Sequence, residues 1–260
     1  MIKKLRATTV FLIFGLMFLC MPIVFLIKNS FDGDSIRKIV LHFCDAFNSR
    51  ELIDSLITSL KIAFVAATSS VVLGILAAVF TTVPNGAGRK CKKFLDKMVF
   101  IPMIIPEAVI GLSLLMFFIK IDLGISCFVK IIVAHTLVTV AYVYSNVKSR
   151  LLEFDTIIEE AAIDLGAKPF TIFFKIKIPL MKRHIFTGWA LAFIISFDDP
   201  IMANFLSGGG TTTFPVLIFS KLTMGKLPPE VNAFVVMLIS VIMLVVFAFF
   251  FLGKSKKVYR

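Results

Sequence analysis

Six predominantly apolar runs, each about as long as a bilayer is thick, divide the chain: Thr8 to Ile27, Leu56 to Val83, Met98 to Ile119, Val129 to Asn146, Ile185 to Leu206 and Val231 to Leu252. A helix rises about 1.5 Å per residue, so roughly 20 residues cross a hydrocarbon layer of about 30 Å. Inside that layer a helix satisfies its own backbone polar groups. The pattern therefore predicts an all-α, polytopic membrane protein with about six transmembrane helices, in a single domain over residues 1–260. Lys61 and Lys130 fall near span ends, where a long stem carries the ammonium to the headgroups. No internal repeat and no low-complexity linker interrupts the chain.

Residues 148–184, between the fourth and fifth runs, are neither apolar enough to insert nor polar enough to be disordered. Thr156 with Glu159 three positions on reads as a capping box, and Gly166 supplies the permissive backbone that ends a first short helix. Lys168-Pro169 restarts the chain with proline at the first helical position. Phe170, Phe173 and Phe174 then recur at helical spacing, and Pro179 is expected to close the second helix. Helices of two or three turns are marginal in water, so the apolar face of this hairpin needs a cover. Either the protein's own bundle or a partner can supply it.

Composition agrees with the membrane assignment: 58% of residues are hydrophobic, 29 are Phe, only 17% are charged, and the mean hydropathy is +0.97. Such values lie well outside those of soluble domains. The net charge of +12 is concentrated in alternate connections. Lys3, Lys4 and Arg6 lead; Arg89, Lys90, Lys92, Lys93 and Lys97 follow; Lys148, Arg150, Lys168, Lys175, Lys177, Lys182 and Arg183 border or lie in the hairpin; Lys254, Lys256, Lys257 and Arg260 close the chain. The positive-inside bias then predicts cytoplasmic termini, a cytoplasmic hairpin and an external segment Asp32 to Arg50. Charges scattered between spans call for no nucleic-acid partner. Although Lys3, Lys4 and Arg6 precede an apolar run as in a secretory signal, that run ends in Ile27-Lys28-Asn29-Ser30 without a small-x-small cleavage site, so it reads as an uncleaved first span.

The four cysteines show no paired spacing. Cys20 falls in the bilayer and Cys91 inside, leaving Cys44 and Cys127 as the pair able to share an oxidising compartment. His135 and Asn146 have no second His or Cys at ligand spacing, so they read as interhelical hydrogen-bonding residues rather than metal ligands. No nucleophile with a base is apparent, and no G-x-x-x-x-G-K-[ST] loop occurs. Gly208-Gly209-Gly210-Thr211 lacks the following lysine and reads as an external turn.

Three acids stand inside apolar runs: Glu107, Asp198 and Asp199. A charge at the bilayer centre costs about 2.5–3.5 kcal/mol on insertion scales, so these side chains should face a water-filled path or a partner group. Asp199-Pro200 also carries the signature of a helix start, so Asp199 is open to two readings, a cap at a break in the fifth span or a ligand contact. Carboxylates interspersed with aromatic surface suit a flexible polycation, whereas an anion would call for basic residues in the spans. Trp189 and the Phe stripes read first as packing.

The octet Glu160-Ala161-Ala162-Ile163-Asp164-Leu165-Gly166-Ala167, followed by Ile176 and Pro179, resembles the EAA loop of ABC-importer permeases; Ile178 stands where that family usually has Leu. Pro106 to Leu115, Ser196-Phe197-Asp198-Asp199 and Pro229-Glu230-Val231-Asn232-Ala233 are similar to spermidine/putrescine permeases of the PotC type, with Glu107 where relatives often carry Asp. The resemblance implies a type I ABC importer permease (MetI-like) fold in the cell inner membrane, forming half of a polyamine path. It implies ATPase coupling through Glu160, Ala161, Ala162, Gly166, Ile176 and Pro179, and a substrate path at Glu107, Asp198 and Asp199, with no catalytic residue and no metal. The cofactor expectation is that this chain binds none, ATP being hydrolysed by a partner. The implied partners are an ABC ATPase dimer, a second homologous permease, a periplasmic or lipid-anchored polyamine-binding protein and membrane lipid. A sister cargo such as ferric iron, thiamine or a phosphonate is the alternative. An ion-coupled secondary transporter or channel would explain the intramembrane acids but not the EAA spacing.

Overall fold

The computed structural model describes residues 2–31, 36–82, 88–122, 124–225 and 228–254, which are helical throughout apart from short connections. In chain order the elements are α1 (Ile2–Ser30), α2 (Ile36–Asn48), α3 (Arg50–Thr82), α4 (Arg89–Ile104), α5 (Glu107–Ile121), α6 (Cys127–Leu152), α7 (Thr156–Asp164), α8 (Pro169–Ile172), a π-helical turn Phe173–Lys177, α9 (Ile178–Phe197), α10 (Ile201–Leu206), α11 (Phe214–Thr223) and α12 (Pro229–Lys254). Val83, Asp32, Lys256, Lys257 and Arg260, on which part of the span and orientation reading rests, lie outside the described residues, as do the side chains of Lys3, Lys4 and Arg6.

Among the described residues, Phe11–Ser30, Arg50–Thr82 and Cys127–Leu152 are unbroken helices long and apolar enough to cross a membrane. The third apolar run, expected as one span from Met98 to Ile119, is instead bent by 105° between α4 and α5. Pro106 causes this locally: it cannot donate to the helical ladder, and its ring pushes the preceding residue out of the α region. Ile105 accordingly has φ −77° and ψ 133°. The fifth run is also divided, with α9 ending at Phe197 and α10 restarting at Ile201. Two connections expected to be loops hold helices, α2 and α11.

The chain forms two compact units, residues 1–54 with 220–260, and residues 55–219. In the first, α1 and α2 pack against α12. Ala46, Leu52, Val231 and Ala233 are buried, and the Lys221 ammonium lies 2.8 Å from Glu51.

The second unit is organised around α6. Val143 at its centre meets two glycines: a Cβ at Gly74 of α3 would stand 2.8 Å from Val143 Cγ1, and one at Gly188 of α9 would stand 3.2 Å from Val143 Cα. Small residues at such crossings let helix backbones approach closely, the main source of packing contact where lipid removes the hydrophobic drive. Tyr144, Val147, Met181 and Ala192 complete that layer. Tyr144 donates to Asp96 Oδ1 at 2.6 Å, and Lys148 pairs with the same carboxylate, which fixes α4 on α6. A second layer joins Ile62, Ile131, Ala134, Ala203 and Leu206. Above it α5 crosses α10 at Gly111, where a Cβ would fall 3.0 Å from the Phe205 ring and 3.2 Å from Met202 Cα.

Candidate functional site

The hairpin begins one residue earlier than its sequence suggests. Asp155, not Thr156, is the N-cap: its backbone is extended and its Oδ1 accepts the Ile157 N–H at 2.9 Å. An aspartate here also places negative charge at the helix's positive end. Glu159 does not close a capping box but reaches across the hairpin to Lys177 Nζ at 2.8 Å. The Lys177 ammonium also lies 5.7 Å from the centre of the Phe154 ring.

At the other end of α7, Gly166 takes φ +77°. Its N–H bonds to Ile163 O at 2.8 Å, and the Ala167 N–H bonds to Ala162 O at 2.9 Å. These two bonds define a Schellman termination, which requires a left-handed residue at the position of Gly166. Pro179 does not close the second helix as its sequence suggests. Helix continues through the π-helical turn into α9, with the Ile178 N–H reaching back to Phe173 O. That five-residue reach widens the ladder just before Pro179, whose missing N–H then falls in the first turn of α9, where proline is tolerated.

One side of the hairpin packs and the other does not. Ala162 and Ile172 are buried, whereas Leu165 is 88% exposed, Phe170 78% and Ile157 68%. Of the residues expected to couple to an ATPase, Glu160, Ala161, Gly166 and Pro179 are exposed, Ile176 is half-buried, and Ala162 is buried. The cover that the sequence left open is thus supplied by the chain on one face only.

Two of the three intramembrane acids, Asp198 and Asp199, stand at the break between α9 and α10. Asp198 ends α9, with its N–H bonded to Ile194 O at 3.0 Å and its side chain exposed. Asp199 turns inward: it is 5% exposed, and its carboxylate accepts the Ile201, Met202 and Ala203 N–H groups at 2.9, 3.2 and 3.3 Å. It therefore caps α10, which accounts for one of its two sequence readings. Its Oδ2 also lies 2.9 Å from His135 Nε2 on α6, and His135 Nδ1 lies 2.6 Å from Ser196 Oγ on the last turn of α9. Glu107 is exposed in the first turn of α5, the helix that packs on α10. Of the three acids, only Glu107 and Asp198 are accessible.

Ser196, His135 and Asp199 have the residue types of a hydrolase triad. However, all three are at most 5% exposed, so the serine has no access to a substrate. The arrangement clamps helices together. His135 makes the interhelical bonds its sequence context suggests; Asn146 does not, donating instead to Tyr142 O one turn back on its own helix at 2.9 Å. Trp189 is packed as expected, stacked between Phe186 and Phe193 with Nε1 donating to Thr68 at 3.3 Å. The four cysteines are free thiols. Gly209 and Gly210, at φ 55° and 84°, form the turn read from the glycine cluster.

Spans broken around buried polar groups, and a connecting hairpin that keeps an apolar face free, are compatible with a transport permease. The chain belongs to the family of binding-protein-dependent transport system inner membrane components, which matches residues 70–255. It is therefore a multi-pass inner-membrane protein. It is 36% identical to the putrescine transport system permease protein PotI of Escherichia coli K12, over 95% of this chain and 91% of that protein. The spermidine/putrescine transport system permease protein PotC of Haemophilus influenzae is 35% identical, over 90% and 91%. The putative 2-aminoethylphosphonate transport system permease protein PhnV of Salmonella typhimurium is 29% identical, over 72% and 69%. In fold, the chain resembles one from the inward-facing MetNI methionine ABC transporter, with a TM-score of 0.63 at 20% identity over 78% of this chain and 95% of that one. A chain of an amino acid ABC transporter solved with histidines gives 0.55 at 20% identity, over 75% and 91%. These likenesses define the MetI-type, ABC-importer permease fold.

Proposed function

We propose that residues 1–260 act as one permease domain of an ATP-driven importer for polyamines, forming half of the translocation path beside a second, homologous permease. The observation that carries this reading is the pair of accessible carboxylates, Asp198 at the α9–α10 break and Glu107 on α5, which packs on α10, together with the likeness to PotI and PotC. Acceptor-only side chains in a region of low dielectric attract ammonium groups and repel anions. For that reason a phosphonate cargo, which the PhnV likeness raises, fits this neighbourhood less well. The acids alone would suit an ion-coupled porter as well; the hairpin disfavours it, since a porter has no use for an exposed docking face.

The hairpin faces the cytoplasm in this reading, as do both termini, and its exposed face seats in a groove of an ABC ATPase dimer. Exposed Glu160 is placed to anchor by a charge-assisted bond, and the small Ala161 and Gly166 allow close approach. A periplasmic or lipid-anchored binding protein delivers the cargo. The chain itself binds no cofactor, and ATP is hydrolysed by the partner.

Initial uptake of radiolabelled putrescine and spermidine, at saturating loaded binding protein, tests the cation path. Asp198→Asn with Glu107→Gln keeps size and hydrogen bonding while removing both charges, and uptake should fall at least about tenfold with ATPase copurification intact. Undiminished uptake by the double variant would sink the path.

A further inference from the structure

His135 contacts both sides of the break in the fifth span. Its Nδ1 lies 2.6 Å from Ser196 on the last turn of α9, and its Nε2 lies 2.9 Å from Asp199, which caps α10. Nδ1 and the Ser196 hydroxyl are hydrogen-bonded, whereas Nε2 is held against the Asp199 carboxylate at contact distance without the alignment of a hydrogen bond. The ring is 1% exposed, and its own helix is anchored beyond it: Thr139 donates to the His135 carbonyl at 2.7 Å and sits 2.7 Å from Ser70 of α3. The imidazole is thus a crossbar from a rigid helix to the end of one half-helix and the start of the next. Between its two contacts stands Asp198, the exposed acid.

We infer that His135 is a positioning residue for cargo transfer: by tying Ser196 and Asp199 to α6, it fixes the corner from which Asp198 presents its carboxylate, beside Glu107 of α5. This rests on the proposed cation path. Without the crossbar, the three-residue corner Asp198-Asp199-Pro200 is held by the α10 cap alone, and the direction of Asp198 is no longer specified. The Asp199 contact is the more consequential of the two, because it involves a buried carboxylate whose misplacement would leave a charge unpaired.

The two nitrogens can be tested separately. Gln reaches the position of Nε2 and keeps an N–H for Asp199 while losing Ser196; Asn reaches only the position of Nδ1 and keeps Ser196 while losing Asp199. The measurement is initial uptake of putrescine into proteoliposomes holding the permease pair and ATPase, titrated with loaded binding protein. His135→Gln should retain most of the maximal rate, and His135→Asn should lose about tenfold or more, both with unchanged half-saturation by the binding protein. A purely structural role would lower the amount of assembled complex in both variants, or shift both rates alike, and either result overturns the inference. Equal, wild-type rates overturn it as well. The reading beneath it fails separately: an unsubstituted complex that imports 2-aminoethylphosphonate but no polyamine would refute the cargo assignment, while the ratio of the Gln to Asn rates with that cargo would still decide the role of His135.

Discussion

Gly166 offers a way to separate the shape of the docking hairpin from its chemistry. At φ +77° it occupies the left-handed region, yet a Cβ added there would meet nothing within 4 Å. Gly166→Ala is therefore free of steric clash, and its cost is the backbone preference of an L-residue alone, about 1–2 kcal/mol. That energy corresponds to a drop of roughly 5–30-fold in the population of the Schellman-ended hairpin relative to frayed alternatives. If the ATPase recognises this end of α7, uptake should fall by up to the same factor. Gly166→Asn should be close to wild type, because Asn enters the left-handed region with less strain. Gly166→Leu carries the same strain as Ala and adds bulk to an exposed docking face, so it should be the most impaired. The assay is initial uptake at saturating loaded binding protein, with ATPase copurification measured in parallel. Impairment of Asn equal to that of Leu, with Ala at the wild-type rate, would refute the conformational reasoning, and wild-type uptake by all three would remove the hairpin's coupling role.

Asp199→Asn should reduce uptake less than Asp198→Asn, since Asn also caps helices, whereas Asp199→Leu removes the acceptor of three N–H groups and should lower the thermal stability of the purified complex by an amount equivalent to about 1–2 kcal/mol; equal uptake defects in the two Asn variants would contradict this. Gly74→Val forces side-chain atoms into a crossing where even an added Cβ would stand only 2.8 Å from Val143 Cγ1, so overpacking of about 1–3 kcal/mol should depress the melting temperature in detergent, while the same change at solvent-open Gly209 acts only through its φ. Tags within Arg89 to Lys97 and after Arg260 should be protected from external protease, and one within Asp32 to Arg50 should be cleaved; protection of the latter would overturn the orientation.

The helices with strong apolar patterns were legible in the sequence because the bilayer imposes one length and one backbone solution. Their interruptions were only half legible. Asp199-Pro200 announced a restart, and the structure has one, but Pro106 gave no measure of a 105° bend. Proline removes a hydrogen bond locally, whereas the angle that follows is set by packing, here by α4 on α6 through Asp96 and by α5 on α10. Pro179 misled for a related reason. The rule that proline ends a helix assumes a four-residue ladder, and a single π turn relaxes that assumption without changing composition or spacing in a recognisable way.

Adjacent, chemically identical Asp198 and Asp199 show where sequence reasoning meets its physical limit. Capping logic could say that Asp199 had a structural use and Asp198 had none, but a three-residue corner turns successive side chains in different directions, and which one faces inward depends on a partner that lies elsewhere in the chain. That partner is His135, 61 residues from Ser196. A lone histidine in an apolar span signals that some polar group must meet it, since an unpaired one is costly there; no spacing rule names the group. On the proposed cation path, once His135 claims Asp199, the burden of attracting a cation passes to the acids left exposed, Asp198 and Glu107. The division of labour proposed for the neighbouring aspartates thus follows from how a buried polar group on α6 is satisfied.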